Sequence, residues 1–366
     1  MHKTANKNEE TKVASQVLYY RGLIDRRTFL LTPLALACAA DRPLNLVLIV
    51  ASGWRGQATP WDGDPDLVAP SLEKFGKESV VFSRTYCASP KPDLAQTALL
   101  TSKFPHAAKK DDEALVRLKT LTPDAAIEAF ETPPFALQIA FPDPQDIREP
   151  SVARLHVRGN VASSDELPAR QDLARFYGRC AAIDDDLGRI FAALDRLNLS
   201  QNAVVAFTSD CGQQIGSQGL DGNGVPFEES VRIPLAIRYP TKLKPDARDL
   251  ASQVDIMPTL LALGGLEIPD GVQGQDLFGK TPPEVVFAEG KFQGDWRMLV
   301  RGYDKLIATP KGEITHLFNL AEDPYEMTNL ARDSAQKLKL ASLKAQLVAQ
   351  MQKLGDGMDP SGLRKR

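Results

Sequence analysis

LNLVLIVA, Leu44 to Ala51, is a nearly unbroken apolar run with β-branched residues at its centre. A strand wetted on one face alternates polar and apolar residues. A run without alternation is covered on both faces, the condition of a strand inside a parallel sheet. Downstream, PSLEKFGKESVVFSRTY places Leu72 and Phe75 at helical spacing, stops at a glycine and resumes as VVFSRTY, a second strand. Strand, helix, strand is the βαβ pattern. It continues in PFALQIAF (Pro134 to Phe141) and in a long helix from about Arg170 to Leu197 carrying Leu173, Phe176, Ile183, Leu187, Ile190 and Leu194. AVVAFTSD (Ala203 to Asp210) and IPLAIRYP add two more strands. Gly and Pro thicken from Gly264 to Pro283, marking a linker or crossing segment. Beyond it, WRMLVRGYDKLIAT, EITHLFNL and a helical SAQKLKLASLKAQLVAQMQKL predict a small antiparallel sheet with a terminal helix.

The totals agree with a large α/β domain and a smaller appendage. The chain has 366 residues, 43% apolar and 25% charged, enough to bury a sizeable core. A net charge of −3 and the absence of any clustered Lys/Arg block argue against a nucleic-acid partner. Cys38, Cys87, Cys180 and Cys211 are widely spaced, with no C-x-x-C pair, and give neither a zinc knuckle nor a disulfide framework. The four histidines, His2, His106, His156 and His316, are equally scattered.

DRRTFLLTPLALACAAD, Asp25 to Asp41, joins Arg26 and Arg27 to an apolar run of about a dozen residues. That is too short to span a bilayer and suits a signal h-region. It looks like a twin-arginine export signal, with Ala35 and Ala37 at the cleavage spacing. Export to the periplasm or beyond follows as an expectation. Cys38, directly after that site, is a candidate lipid anchor, although Ala35 stands where a lipobox has a larger aliphatic residue. Residues 1–24 are long for an n-region and read as a disordered leader or a misplaced start.

Several ordered blocks then coincide with one family. NLVLIVASGWRGQA, DPDLVAPSLEKFGKESVVFSRTYCASP, TALLTSKFPH, AAIDDDLGRIFAALDRLNLSQNAVVAFTSDCGQQIGSQGL, VPFEESVRIPLAIRYP, VDIMPTLLALGG and LFNLAEDPYEMTNLA follow one another in the order found in sulfatases of the alkaline phosphatase superfamily, which the chain resembles from about residue 43 onward. The resemblance implies an α/β fold: a mixed, mainly parallel sheet sandwiched by helices, with a small C-terminal α+β subdomain. The domains are then a leader and signal over 1–40, the sulfatase-like domain over 41–283 and the C-terminal subdomain over 284–366.

It also implies a chemistry that these residues do not supply. Active sulfatases convert a Cys or Ser at the head of Cys/Ser-x-Pro-Ser-Arg to formylglycine. In SPKPDLAQTALLTS (Ser89 to Ser102), aligned through Leu99 to Thr101, that position is Pro92, which carries no nucleophile. The motif's proline and arginine fall on Leu94 and Gln96, and Cys87 is out of register. The family's calcium ligands fall on Ser52, Gly53, Asp210 and Cys211, so Asp210 is the one retained metal-ligand position. A thiol is a poor substitute for an oxygen ligand. The expected anion-binding lysine is Asn223, the expected histidine is Gln145, and the interval between His106 and Pro134 is too short for the Gly-Lys-x-His segment. Losing these groups together removes the electrostatic stabilisation on which ester cleavage depends.

The expectation is therefore a catalytically inactive sulfatase-fold protein, with neither calcium nor formylglycine as cofactor. Its partner would be a sulfated or anionic glycan in a cleft widened by the shortened interval. The alternative is a sulfate- or phosphate-ester hydrolase with a rebuilt site, in which Asp93, Thr97 or Ser89 near a helix N-terminus replaces the nucleophile.

Overall fold

A computed structural model describes residues 45–141, 147–162 and 165–357. The twin-arginine segment, Cys38 and Gln145 lie outside the described residues.

The chain opens with β1 (Asn45–Val50), six consecutive buried residues. There follow α1 (Pro70–Lys77), β2 (Val80–Tyr86), α2 (Pro92–Thr101), β3 (Lys119–Leu121), α3 (Pro123–Ala129), β4 (Ala136–Ala140) and the 31-residue α4 (Glu166–Arg196). Next come β5 (Ala203–Thr208), the short hairpin β6 (Gln214–Ile215) and β7 (Asp221–Gly222), a single turn α5 (Glu228–Val231), β8 (Arg232–Arg238), β9 (Asp246–Ser252) and α6 (Ile256–Leu263). The C-terminal part holds β10 (Val285–Lys291), β11 (Asp295–Arg301), β12 (Asp304–Ala308), β13 (Ile314–Asn319) and α7 (Lys337–Leu354).

Seven strands form the main sheet in the order β3-β4-β1-β5-β8-β2-β9. All run parallel except β8, which is antiparallel to β5 and β2. The two faces carry separate cores. Val47, Ile49 and Val205 point to one, where α1 and α4 lie; Leu46, Leu48 and Val204 point to the other, where Leu99 of α2 and Leu260 of α6 lie. This is the double coverage that the unalternating β1 run requires. The helix α4 presents Leu173, Phe176, Ile183, Leu187, Ile190 and Leu194 along one buried stripe, each worth about 1.5–3 kcal/mol when buried. Its Asp184 carboxylate also accepts from the backbone N–H groups of Ser71 (2.9 Å) and Leu72 (2.7 Å). The preceding N-cap residue, Ala69, makes no side-chain cap bond. One helix thus caps the other.

The second sheet is an antiparallel meander, β10-β11-β12-β13. One face (Phe287, Leu299, Leu306, Leu317) packs on Leu343, Leu347 and Met351 of α7. The opposite face (Val286, Met298, Val300, Ile307) packs on Tyr86, Cys87, Cys211, Val231 and Ile233 of the main domain. The small sheet is therefore covered on both sides and lies against the end of the large one.

Candidate functional site

β1, β5, β2 and β9 end at one edge of the main sheet, and the reversed β8 begins there. Ligands of open α/β sheets bind outside the carboxyl ends of the strands. Here that edge gathers residues 51–53, 208–212, 87–92 and 252–253, together with the turn at Glu228 and Glu229.

Asp210, following β5, is almost fully buried. Its Oδ2 accepts from Ser52 Oγ at 2.6 Å, and its Oδ1 from the backbone N–H groups of Gly53 at 3.0 Å and Cys211 at 2.6 Å. Gly53 has a φ of 74°, which glycine adopts without strain. Gln253, fully buried, donates from Nε2 to the carbonyls of Asp210 (2.8 Å) and Ser209 (3.2 Å), while its Oε1 accepts from Ala88 N (3.2 Å). It ties the β5 loop to the β2 loop. Gly212 lets those loops approach, since a Cβ there would lie 2.1 Å from the Glu229 carbonyl oxygen. Burial pushes the Cys211 thiol well above its usual range, reinforced by the Asp210 and Cys87 charges, with a hydrogen bond to Asn223 opposing. Burial does the same to Cys87. Both are neutral thiols, and Cys87 lies buried directly after β2.

Calcium takes about six to eight oxygens, several of them carboxylate. The residues gathered here offer one carboxylate already accepting three short hydrogen bonds, a hydroxyl that donates to it, and a neutral thiol. They do not fit the ion. A second group, His106, Glu289 and Asp356, brings its ligand atoms within 4.8 Å of one another. Arg297 sits among them, its guanidinium 3.2 Å from Glu289 and 2.5 Å from Asp356. A side-chain cation therefore already fills the place an ion would take.

Pro92 is exposed and opens α2 at its first turn, where its missing N–H costs nothing because that group is unpaired in any helix. Asp93, also exposed, lies in the same turn, favourable against the helix dipole. Thr97 Oγ1 donates to the Asp93 carbonyl at 2.9 Å, inside its own helix. Gln96, at the family's arginine position, is buried and donates to Gln138 Oε1 on β4 at 3.0 Å. A neutral amide pair stands where a guanidinium is expected. Ser89 is buried, and its Oγ has no hydrogen-bond partner among the described residues.

No described histidine serves these hydroxyls or Asp93. His106 bonds Glu289, His156 bonds Asp66 and His316 bonds Thr315.

The alignment of blocks has its counterpart in known proteins. A sulfatase family model matches residues 134–266, from the approach to β4 through α6. Residues 134–266 thus form a sulfatase family-model domain, and the chain is similar to sulfatases beyond it. The ulvan-active sulfatase of Formosa agariphila is 24% identical over 85% of this chain and 82% of its own length. The next three curated relatives are matched over only 37–41% of theirs, so the chain spans about two-fifths of those proteins. Among solved structures, the yidJ protein of Bacteroides fragilis superposes with a TM-score of 0.76 at 20% identity, covering 92% of this chain and 99% of that one. The phosphonate monoester hydrolase of Agrobacterium radiobacter superposes at 0.73 with 16% identity, over 85% and 96%. At those identities the likeness concerns the fold.

The sequence did not single out a cavity of about 430 Å³ that opens beside this edge, between the loop after β1 and the C-terminal sheet. Several of its residues lie in the quoted blocks, such as Arg84, Arg232 and Tyr325, but Arg158 in RLHVRGN belongs to none, and nothing in the blocks signals that they converge on a cavity.

Proposed function

We propose that this sulfatase-like chain has given up ester hydrolysis and serves outside the cytoplasm as a glycan-binding protein. The export signal would lie within residues 1–40, with Cys38 available for a lipid anchor. The observation that carries the reading is the engagement of Asp210: the one metal-ligand position that remains is spent on Ser52, Gly53 and Cys211. With Pro92 at the nucleophile position and Gln96 paired to Gln138, neither of these described positions supplies a nucleophile or a cation for a leaving oxygen. The named activity of the Formosa relative toward ulvan, a glycan, supports a saccharide as the ligand class. Among the described residues no helix is long and apolar enough to cross a membrane.

One observation favours the rebuilt-hydrolase alternative: the orphaned hydroxyl of Ser89 at the end of β2. A buried serine without a base is not activated.

The deciding experiment incubates the purified chain with an aryl sulfate, an aryl phosphate and a phosphonate monoester, with and without added divalent metal. Hydrolysis at background level in every case is the expected result. Sustained turnover that is lost in Ser89→Ala, Asp93→Ala or Thr97→Ala would overturn it.

A further inference from the structure

The cavity beside the sheet edge is built by both parts of the chain: Gln57 and Asp64 from the loop after β1, Arg84 and Arg232 from β2 and β8, and Tyr303 and Tyr325 from the connections of the C-terminal sheet. None of Ser52, Gly53, Pro92, Asp210, Cys211 or Asn223 lines it, so it is distinct from the remnant cleft. Its volume lies toward the small end of ligand pockets, which run from about 300 to 1,000 Å³, suited to a saccharide of a ring or two.

The cations of the wall are not equivalent. Arg84 is engaged by Asp249 at 2.7 Å and Arg232 by Asp62 at 2.7 Å. The side chain of Arg158, also on the wall, makes no hydrogen bond among the described residues. Its carboxylate contact is Glu229 Oε1 at a long 3.4 Å. That same carboxylate faces Arg55 at 3.4 Å and accepts from Ser217 Oγ at 2.7 and 2.8 Å. A guanidinium carries five N–H donors, and a charged hydrogen bond ordinarily closes to about 2.7–2.9 Å. Arg158 therefore holds a side chain that is only 17% exposed against the cavity with its donors unspent. Burial and the neighbouring Arg55 both make that charge costly, and an anion in the cavity relieves the cost.

Aromatic surface flanks the same space. Tyr303 is 53% exposed with the Arg84 guanidinium 4.0 Å over one ring face, and Tyr325 is 40% exposed with Arg158 5.7 Å from its ring centre. A large ring fixed on one side by a guanidinium and open on the other offers an apolar platform with a polar tip. Gln57 adds an amide whose two polar atoms lack hydrogen-bond partners among the described residues.

We propose that this cavity binds an acidic saccharide, with Arg158 taking its carboxylate or sulfate group and Tyr303 and Tyr325 packing against its ring. The proposal rests on the glycan-binding reading above and gives that reading a location. Calorimetric titration of the purified chain with unsulfated chondroitin disaccharide, its 4-O-sulfated form and lactose tests it. The acidic sugars are expected to bind about tenfold more tightly than lactose, the worth of one charge-assisted hydrogen bond. Binding of both acidic forms makes the uronate sufficient; binding of the sulfated form alone assigns Arg158 to sulfate. Arg158→Met should erase the preference and Arg158→Lys should keep part of it, with thermal melts confirming that both fold. Tyr303→Ala, at an exposed position, should weaken all three sugars. Equal binding of lactose, or binding untouched by these variants and abolished by Asn223→Ala, would overturn the site while leaving glycan binding intact. No binding of any sugar would remove both, and the ester assay judges the loss of chemistry separately.

Discussion

Two regions at the same end of the main sheet have opposite electrostatics. Where the C-terminal sheet docks, charge is dense and paired. Lys305 on β12 is fully buried between Glu228 at 3.0 Å and Glu326 at 2.7 Å, and Tyr86 donates to Glu228 at 3.3 Å. On the other face of that sheet His106 bonds Glu289 at 2.9 Å and the Leu354 carbonyl at 3.1 Å. A carboxylate and a carbonyl are both acceptors, so this setting favours the imidazolium, which donates from both ring nitrogens. In the cleft, by contrast, the described residues that the resemblance aligns with the family's nucleophile, cations and metal ligands are Pro92, Gln96, Asn223, Ser52, Gly53 and Cys211, beside Asp210. Charge is concentrated where it fastens the two sheets.

The difference makes the docking region the more fragile of the two. Lys305→Met should destabilise the protein by about 3–5 kcal/mol, because it leaves two carboxylates buried without their cation; urea melts measure it. Adding Glu326→Gln to that variant should recover part of the loss. A Lys305→Met protein as stable as the parent would mean that the buried charges do not fasten the sheets, and the contrast would fail.

A smaller effect concerns pH. The His106 pKa is raised: burial opposes the shift, but the Glu289 hydrogen bond and charge outweigh it. Glu326 and Asp255 are each pushed up to about 7, chiefly by burial. All three bind their proton more tightly folded than unfolded. Their contribution is therefore complete below the unfolded values and is lost as pH rises through the folded ones. Thermal melts should give a midpoint a few degrees higher at pH 6 than at pH 8, and His106→Gln should flatten part of that slope. A midpoint that climbs over the same range would contradict the assignment.

The unequal legibility of the two regions has a physical reason. β1, β5 and α4 declared themselves because burial writes a continuous apolar run or a helical stripe into the chain. The cleft could be read only through the resemblance, which assigns Pro92, Ser52, Gly53 and Asn223 to the family's catalytic positions by the blocks that flank them. The edge strand β9, DARDLAS, was not, because its outer residues are exposed and charged. Lys305 also escaped notice. In DKLIA a lysine reads as the wet side of a strand, and only the contact of the C-terminal sheet with Tyr86 and Val231 places that side indoors. Arg158 and Tyr303 line one cavity although 145 residues of chain separate them, a distance at which no sequence period operates.

The most direct test of the rebuilt cleft is its indifference to calcium. A tightly held ion stabilises the native state by about 2.7 kcal/mol at a hundredfold excess over Kd, a shift that thermal melting resolves easily. Melting curves in millimolar calcium and in excess chelator should overlay, and Asp210→Asn should cost roughly a kcal/mol or less, equally in both. A calcium-dependent rise in melting temperature that disappears in Asp210→Asn would show that the ion still binds and that the cleft keeps the chemistry denied to it here.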